Sequence, residues 1–273
     1  MISSTANAQM KYLTRLQEKG SARREDRVYV CEGKKMFREV LQYARDSIVK
    51  AYFSESFYGQ WTAEGGGELL SGIACELVTD AVFGEVSGTV TPQGVLAIVR
   101  QPEYSIETML GGETARLLLL ENLRDPGNLG TILRTAEGAG MDGVILSRES
   151  VDMFNPKVIR STMGAIYRVP FYYAPDFYEL LRELARRGVR VFAAHLESSA
   201  EYDSVEFPKR TAIMIGNEAN GLTEQACSLA ADRLRIPMEG SVESLNAAVA
   251  AALLMYETYR QARKKSPGDA RKS

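Results

Sequence analysis

The chain has 273 residues, of which 45% are hydrophobic and 25% are charged, and its formal net charge is -2. This composition is typical of a globular protein with one large or two modest domains. The slightly negative net charge argues against a protein that binds nucleic acid nonspecifically over its whole surface. Three widely spaced cysteines and a single histidine exclude a disulfide framework and a histidine-rich metal site, so we predict no bound metal.

No stretch of the sequence combines the length and apolar character of a membrane span, and no apolar run of signal-peptide type lies near its start. We therefore expect a cytoplasmic protein that has no membrane partner.

The first hundred residues are predicted to form a small α/β unit. Met10, Leu13 and Leu16 recur at helical spacing, and Gly20 can end that helix. The charged run at 23–27 then predicts an exposed loop. The further predicted elements are strands at 28–30, 48–53 and 94–99 and a helix at 36–43.

The composition becomes polar between Arg100 and Glu113, and we place a linker there. Beyond it, apolar runs and amphipathic stretches alternate, which predicts a mainly parallel sheet covered by helices on both faces. The predicted strands are 117–120, 143–146, 189–194 and 212–215, and the predicted helices follow Asn128 and cover 177–187 and 244–260. The fold class is therefore α/β, with a smaller α/β domain at 1–105 and a larger domain at 114–265.

The pattern of residues from Arg116 to Gly140 predicts a buried strand, a polar loop and a helix. Residues 125–128 form a turn that ends in Asn128, a candidate N-cap of that helix. A strand that enters a helix through a polar loop places side chains at the carboxyl edge of the sheet, where open α/β folds bind ligands. Asn128 and Arg134 are the candidate functional side chains of this loop.

Two further loops combine glycines with polar residues after predicted strands, at 215–222 and at 236–246. Taken singly, each has a structural explanation. Gly216 and Gly221 can be turn residues, and Ser244 and Asn246 can cap the last helix. His195 is expected to be structural.

Together, the three loops resemble the motifs of the SpoU (TrmH-like) RNA ribose 2'-O-methyltransferases of the SPOUT class. The segment NLGTILRTA at 128–136 is similar to the first family motif, and GNEANGL at 216–222 is similar to the second. The segments IPM at 236–238 and SLN at 244–246 are together similar to the third. The segment IRSTMGA at 159–165 is similar to a family segment between the first two. Ala219 departs from the glycine of many members, which affects loop flexibility more than chemistry.

The resemblance implies an S-adenosylmethionine-dependent enzyme with a C-terminal trefoil knot and a homodimer whose active sites lie at the subunit interface. It implies that 1–105 is a ribosomal-protein-like domain that binds the RNA substrate and that 114–265 is the methyltransferase domain. No Gly-x-Gly-x-x-Gly fingerprint follows the first strand, which disfavours a nicotinamide cofactor.

The resemblance also assigns roles to residues of this chain. The implied catalytic residues are Asn128, Arg134, Glu218, Ser244 and Asn246, and the implied cofactor-binding residues are Gly216, Asn217, Ile236, Met238 and Leu245. An arginine is essentially never deprotonated in proteins, so we expect Arg134 to grip a phosphate and polarise the hydroxyl. Asn128 and Glu218 would orient Arg134 or the ribose, and the proton acceptor stays open.

A 2'-hydroxyl as the reacting group makes RNA the substrate, and we predict ribosomal RNA. Arg23, Arg24 and Arg27 are the candidate phosphate contacts, with a solvated loop as the alternative. Other functions stay open: a non-catalytic RNA-binding or ribosome-assembly protein, a tRNA-directed enzyme, or a base methyltransferase of the same class. The sequence does not identify the modified nucleotide.

Overall fold

The computed structural model describes residues 1–198 and 200–265. They form two compact units: Met1–Glu103 together with Asp152–Arg168, and Tyr104–Val151 together with the chain from Val169 onward. Within the described ranges, no helix has the length and hydropathy needed to cross a membrane.

Helices and strands alternate along most of the described chain. The strands are β1 (Val28–Glu32), β2 (Ile48–Ser54), β3 (Cys75–Val78), β4 (Val95–Arg100), β5 (Ala115–Leu120), β6 (Gly143–Ser147), β7 (Phe171–Ala174), β8 (Arg190–Ala194), β9 (Arg210–Ile215) and β10 (Asp232–Leu234). The helices are α1 (Ala8–Glu18), α2 (Gly20–Asp26), α3 (Lys34–Tyr43), α4 (Glu55–Ala63), α5 (Asp80–Val86), α6 (Ile106–Leu110), α7 (Pro126–Gly138), α8 (Pro156–Thr162), α9 (Phe177–Arg186), α10 (Glu224–Leu229) and α11 (Ala247–Lys265).

The N-terminal unit contains a four-stranded sheet in the order β1-β4-β2-β3. Strand β4 runs antiparallel to β1 and β2, and β2 pairs in parallel with β3. The predicted strands and the helices at 8–18 and 34–43 are confirmed. Strand β3 was not predicted, because its residues are mostly only partly buried and give no continuous apolar run.

The prediction of an exposed loop at 23–27 is wrong, because helix α2 continues through this segment to Asp26. Arg23 is only 3% exposed. Its guanidinium donates to the carbonyl oxygens of Leu16 and Gln17 and to Asp152 Oδ2, at 2.7, 3.0 and 2.7 Å. Because the Arg23 side chain is buried and its guanidinium already donates to these partners, it is not available to an RNA phosphate. The assignment of Arg23 to RNA binding is therefore also wrong.

The segment Asp152–Arg168 belongs to the N-terminal unit, although the predicted boundaries place it in the C-terminal domain. The ring of Phe154 stacks on Tyr29 with centroids 5.0 Å apart. The buried carboxylate of Glu32 lies 3.9 Å from Arg160 Nη1. Residues that follow β6 in the chain thus pack against strand β1 of the first sheet.

The C-terminal unit contains a six-stranded sheet in the order β10-β8-β9-β5-β6-β7, and every pairing in it is parallel. Leu117, Leu118, Leu119 and Leu120 of β5 are fully buried. This confirms the predicted parallel sheet. Because the strands run in one direction, their carboxyl ends lie along one edge, and the loops that carry the motifs leave from that edge.

Helices cover both faces of this sheet. Leu117 and Leu119 belong to a core cluster with residues of α6, α9 and α10, and the alternation of strand side chains turns Leu118 and Leu120 to the other face. Helix α11 packs against α7 and against β9. Helix α6, which lies inside the predicted linker, contributes three buried side chains to the core. The trefoil knot stays a prediction of the family resemblance.

Replacement of Arg23 by alanine is expected to lower the free energy of unfolding by about 3 kcal/mol, since it removes one partner of a largely buried ion pair. Urea unfolding followed by circular dichroism measures this. Arg15→Ala is the matched control because Arg15 forms an exposed pair with Glu25, and it should cost less than about 1 kcal/mol. Equal effects of the two variants would contradict a structural role for Arg23.

Candidate active site

A cavity of about 460 Å³ lies where β8, β9 and β10 end and the chain approaches α11. Its volume is within the range of small-molecule sites. Glu218, Ser244 and all five predicted cofactor-binding residues line it: Gly216, Asn217, Ile236, Met238 and Leu245. The structure thus brings the second and third motifs together around one cavity.

The glycine loop after β9 closes on itself. The N–H of Asn217 donates to the Gly221 carbonyl at 3.0 Å, and the N–H of Gly221 donates back to the Asn217 carbonyl at 2.9 Å. A Cβ added to Gly216 would lie 2.1 Å from the carbonyl carbon of Gly221, so only glycine fits there. Ala219 is not among the described residues with positive φ, which explains why alanine is tolerated at this position.

The side chain of Asn217 is engaged within the protein. Its Nδ2 donates to the Asn122 carbonyl at 2.8 Å, and its Oδ1 accepts from the N–H groups of Ala219 and Asn220 at 2.9 and 3.3 Å. Asn217 therefore shapes the loop and ties it to the residues that follow β5, while its position also lines the cavity.

A hydrogen-bond network joins the three motif loops. Glu218 Oε1 accepts from Asn128 Nδ2 and from the Asp125 N–H, both at 3.0 Å, and Oε2 accepts from the Arg124 N–H at 3.2 Å. Asn128 Oδ1 in turn accepts from Asn246 Nδ2 at 3.0 Å. Three of the five predicted catalytic residues, one from each motif, thus lie in direct contact; we call them the Glu218 network.

The N-cap of α7 is Asp125, so the prediction that Asn128 is the cap is wrong. Asp125 Oδ1 accepts from the Asn128 N–H at 2.7 Å. Pro126 occupies the first helical position, which its fixed φ favours, and the cap is therefore the residue directly before it, Asp125. Asn128 therefore lies within the first turn, and its side-chain amide reaches Glu218 and Asn246.

Asn246 caps the last helix, as predicted, and its side chain also contacts the first motif. Its Oδ1 accepts from the N–H groups of Ala248 and Val249 at 2.9 and 3.3 Å, which caps α11. Its Nδ2 belongs to the Glu218 network. The last helix begins after this cap, at Ala247 rather than at Ser244, and Ser244 is an exposed residue at the cavity.

The pKa of Glu218 lies below its ordinary value. Partial burial by itself would raise this pKa, but hydrogen bonds from the Asn128 side chain and from the backbone of Asp125 and Arg124 lower it further than burial raises it. Glu218 is therefore ionised at neutral pH and acts as an acceptor for all three donors.

Arg134 lies on another face of α7. It follows Asn128 by six residues, a step that turns the side chain by about 240° around the helix. Arg134 is exposed, and within the described residues no hydrogen bond or ion pair joins its guanidinium to the Glu218 network. The expected orientation of Arg134 by Asn128 or Glu218 is thus not seen in these contacts.

Sequence reasoning did not assign the residues after β8 to the cavity. His195, Leu196 and Glu197 line it, and the imidazole Nδ1 of His195 accepts from the Glu197 N–H at 3.2 Å. The available signal was their position directly after a predicted strand that ends at the same sheet edge. Among the described side chains, no group of three or more His, Cys, Asp and Glu residues is arranged to hold a metal.

The parallel sheet and the three loops at its carboxyl edge define a methyltransferase domain of the SPOUT class. Residues 115–256 match the model of the SpoU rRNA Methylase family, and residues 7–97 match the model of an MRM3-like substrate binding domain. The chain belongs to the SpoU rRNA methylase family.

Similar proteins span almost the whole chain. The 23S rRNA (guanosine(2553)-2'-O)-methyltransferase RlmP of Bacillus subtilis (strain 168) is 32% identical, over 93% of this chain and 97% of the relative. The structure of an AdoMet-bound rRNA methyltransferase from Sinorhizobium meliloti has a TM-score of 0.79 at 28% identity, covering 95% of this chain and 97% of that one. A structure described as an RNA 2'-O ribose methyltransferase has a TM-score of 0.78 at 30% identity, covering 96% and 98%.

The lowered pKa of Glu218 predicts a pH-dependent contribution to stability. Hydrogen bonds to the carboxylate stabilise the folded protein above the ordinary glutamate pKa, and this stabilisation is lost as pH falls through the lowered pKa. The wild type should therefore be more stable than Glu218→Gln near pH 7, and the difference should shrink below about pH 4.

Urea unfolding at each pH measures this difference. Glu239→Gln is the matched control, since Glu239 is exposed in the third motif loop, and it should show no comparable trend. A difference between the wild type and Glu218→Gln that is constant over this pH range would contradict the assignment.

Proposed function

We propose that this protein transfers a methyl group from S-adenosylmethionine to a ribose 2'-hydroxyl of RNA, and that its substrate is ribosomal RNA. The observation that carries this proposal is the Glu218 network, which joins side chains of all three family motifs beside the cavity. Membership of the SpoU family supports it, as does the 23S rRNA substrate in the name of the similar Bacillus subtilis protein.

The cavity suits S-adenosylmethionine, which supplies a methyl group activated by a positively charged sulfur. Ile236, Met238 and Leu245 offer apolar side chains that can flank an adenine. The closed turn at Gly216 presents backbone without a side chain, which permits close approach of a ligand.

Methyl transfer requires the ribose oxygen to be held in line with the methyl group of the donor, and this positioning supplies most of the rate. The rigidity of the loops that hold both ligands therefore affects the reaction directly. We assign Asn128, Glu218 and Asn246 to holding the three loops in register. The lowered pKa of Glu218 makes its carboxylate a weak base, which fits this positioning role better than that of proton acceptor. Ser244 lies at the cavity with an exposed side chain that can contact either ligand.

Arg134 is assigned to the RNA. Its guanidinium is exposed and stays charged, and no hydrogen bond or ion pair engages it among the described residues, so it can bind a phosphate and polarise a neighbouring hydroxyl. This differs from the role of the Glu218 network, whose side chains are already engaged with one another.

We assign residues 1–105 to binding the RNA substrate and residues 114–265 to methyl transfer. The match of residues 7–97 to a substrate binding domain supports the first assignment. With Arg23 buried, Arg24 and Arg27 are the exposed arginines left from the predicted patch. Replacing both with glutamine should flatten the salt dependence of RNA binding, and an unchanged slope would place the RNA surface elsewhere.

A homodimer is part of this proposal. Helix α11 exposes Val249, Leu253 and Tyr256, which lie on one face at helical spacing and are 48%, 37% and 48% exposed. An exposed apolar face of this kind fits a second copy of the chain. Light scattering should report a dimer for the wild type and for Val49→Glu, and a monomer for Leu253→Glu; a dimeric Leu253→Glu would contradict this interface.

The function is tested by incubating the protein with tritium-labelled S-adenosylmethionine and total ribosomal RNA and then digesting the RNA to nucleosides. We expect the label in a 2'-O-methylated nucleoside. Arg134→Ala should bind the cofactor with nearly unchanged affinity by calorimetry, while transfer falls by at least about a hundredfold. Arg182→Ala, which removes an exposed guanidinium on α9, is the control and should stay active.

Each other outcome points to a different function. RNA binding without any transfer would indicate an RNA-binding or ribosome-assembly protein. Label in a base would indicate a base methyltransferase, and transfer to tRNA alone would indicate a tRNA-directed enzyme. Full activity of Arg134→Ala would remove Arg134 from the mechanism.

A further inference from the structure

A second cleft, of about 360 Å³, lies at the carboxyl edge of the C-terminal sheet. Residues that follow β5, β6 and β7 line it, and we call it the β5–β7 cleft. The cavity of about 460 Å³ that we propose binds the cofactor lies at the ends of β8, β9 and β10, and β9 pairs with β5 in the sheet order. The two sites therefore occupy neighbouring parts of one edge, where α/β folds bind their ligands.

Two exposed guanidiniums line the β5–β7 cleft. Arg124 follows β5 and Arg148 follows β6, the strand paired with β5. Several other arginines of this unit form ion pairs, such as Arg190 with Asp232 at 2.7 Å. Within the described part of the chain, no hydrogen bond or ion pair engages the guanidinium of Arg124 or Arg148. Unpaired guanidiniums beside one cleft offer donors that match a phosphate.

Three acidic residues line the cleft: Glu121 and Asp176 are already engaged within the protein, and Glu149 is exposed. Glu121 is 1% exposed, and its carboxylate accepts from the Thr223 N–H, the Thr223 hydroxyl and the Tyr178 hydroxyl at 2.8, 2.7 and 3.0 Å. Asp176 Oδ1 accepts from the Glu179 N–H at 2.9 Å and caps α9. These bonds fix one wall of the cleft, and the half-buried ring of Tyr178 in that wall offers a surface on which a base can stack.

The floor of the cleft is rigidly joined to the Glu218 network. Asn122 has φ of 55°, a left-handed conformation that is uncommon for a residue other than glycine. Its N–H donates to Ser147 Oγ at 2.9 Å, and its carbonyl accepts from Asn217 Nδ2 at 2.8 Å. The backbone N–H of Arg124 donates to Glu218. A ligand in the cleft would thus lie beside the groups that hold the motif loops.

We propose that the β5–β7 cleft binds an RNA nucleotide that neighbours the methylated one. Arg124 and Arg148 contact its phosphate, and the ring of Tyr178 packs against its base. The position relative to the methylated ribose rests on the proposed function, whereas the RNA contact itself can be measured without it.

The test uses the full-length protein and protein-free 23S rRNA as the probe, with filter binding over a range of salt concentrations. Arg148→Gln should weaken binding by about tenfold and reduce the slope of log K against log salt by about 1, and the Arg124→Gln/Arg148→Gln double variant should reduce it by about 2. Arg182→Gln, an exposed arginine on α9, is the matched control and should leave the slope unchanged.

Two further readouts separate a binding role from a structural one. Calorimetry should give the wild-type affinity for S-adenosylmethionine in both single variants. In the tritium assay, Arg148→Gln should raise the KM for RNA by about tenfold and leave kcat close to the wild-type value. The reason is that the lost contact would stabilise the bound RNA equally in the ground state and in the transition state.

The outcomes distinguish this inference from the proposed function. A wild-type salt slope and RNA affinity in the double variant of an active enzyme would overturn the cleft as an RNA site and leave the proposed function standing. A reduced slope in variants of a protein that transfers no methyl group would support the cleft and overturn the proposed function.

Discussion

The carboxylate of Glu218 fixes the relative positions of the functional loops of the C-terminal unit. It accepts hydrogen bonds from the backbone of Arg124 and Asp125 and from the side chain of Asn128, whose Oδ1 in turn accepts from the Asn246 side chain. These bonds join residues far apart in the sequence. Because no strand pairing among the described residues joins these loops to one another, the arrangement of the site depends on a few polar contacts.

The parallel sheet makes those contacts possible. All six strands of the C-terminal unit run in one direction, so every loop that leaves a carboxyl end emerges at the same edge. The proposed cofactor cavity and the β5–β7 cleft occupy neighbouring parts of this edge, and Asn122 lies between them with bonds to Ser147 and Asn217. The proposed binding of a methyl donor on one side and RNA on the other follows from this division.

The sequence predicted the features that local patterns determine. Buried strands such as β5 give continuous apolar runs, and the glycine and proline turns at 216–221 and 236–238 identify the loops of the cavity. Pro126 was an available signal that Asp125, rather than Asn128, caps α7. The burial of Arg23 could not be predicted, since its segment is charged and its partner Asp152 is distant in the sequence. Strand β10 has only three residues, too few for a pattern.

A double-mutant cycle between Asn128 and Asn246 tests most directly whether side-chain contacts hold the loops in register. Calorimetry would give the affinity for S-adenosylmethionine of the wild type, Asn128→Ala, Asn246→Ala and the double variant. The cycle cancels the loss of the α11 cap, which both proteins with Asn246→Ala share. We predict a coupling energy of about 1 kcal/mol between the two side chains. Additive effects of the two substitutions would contradict this account.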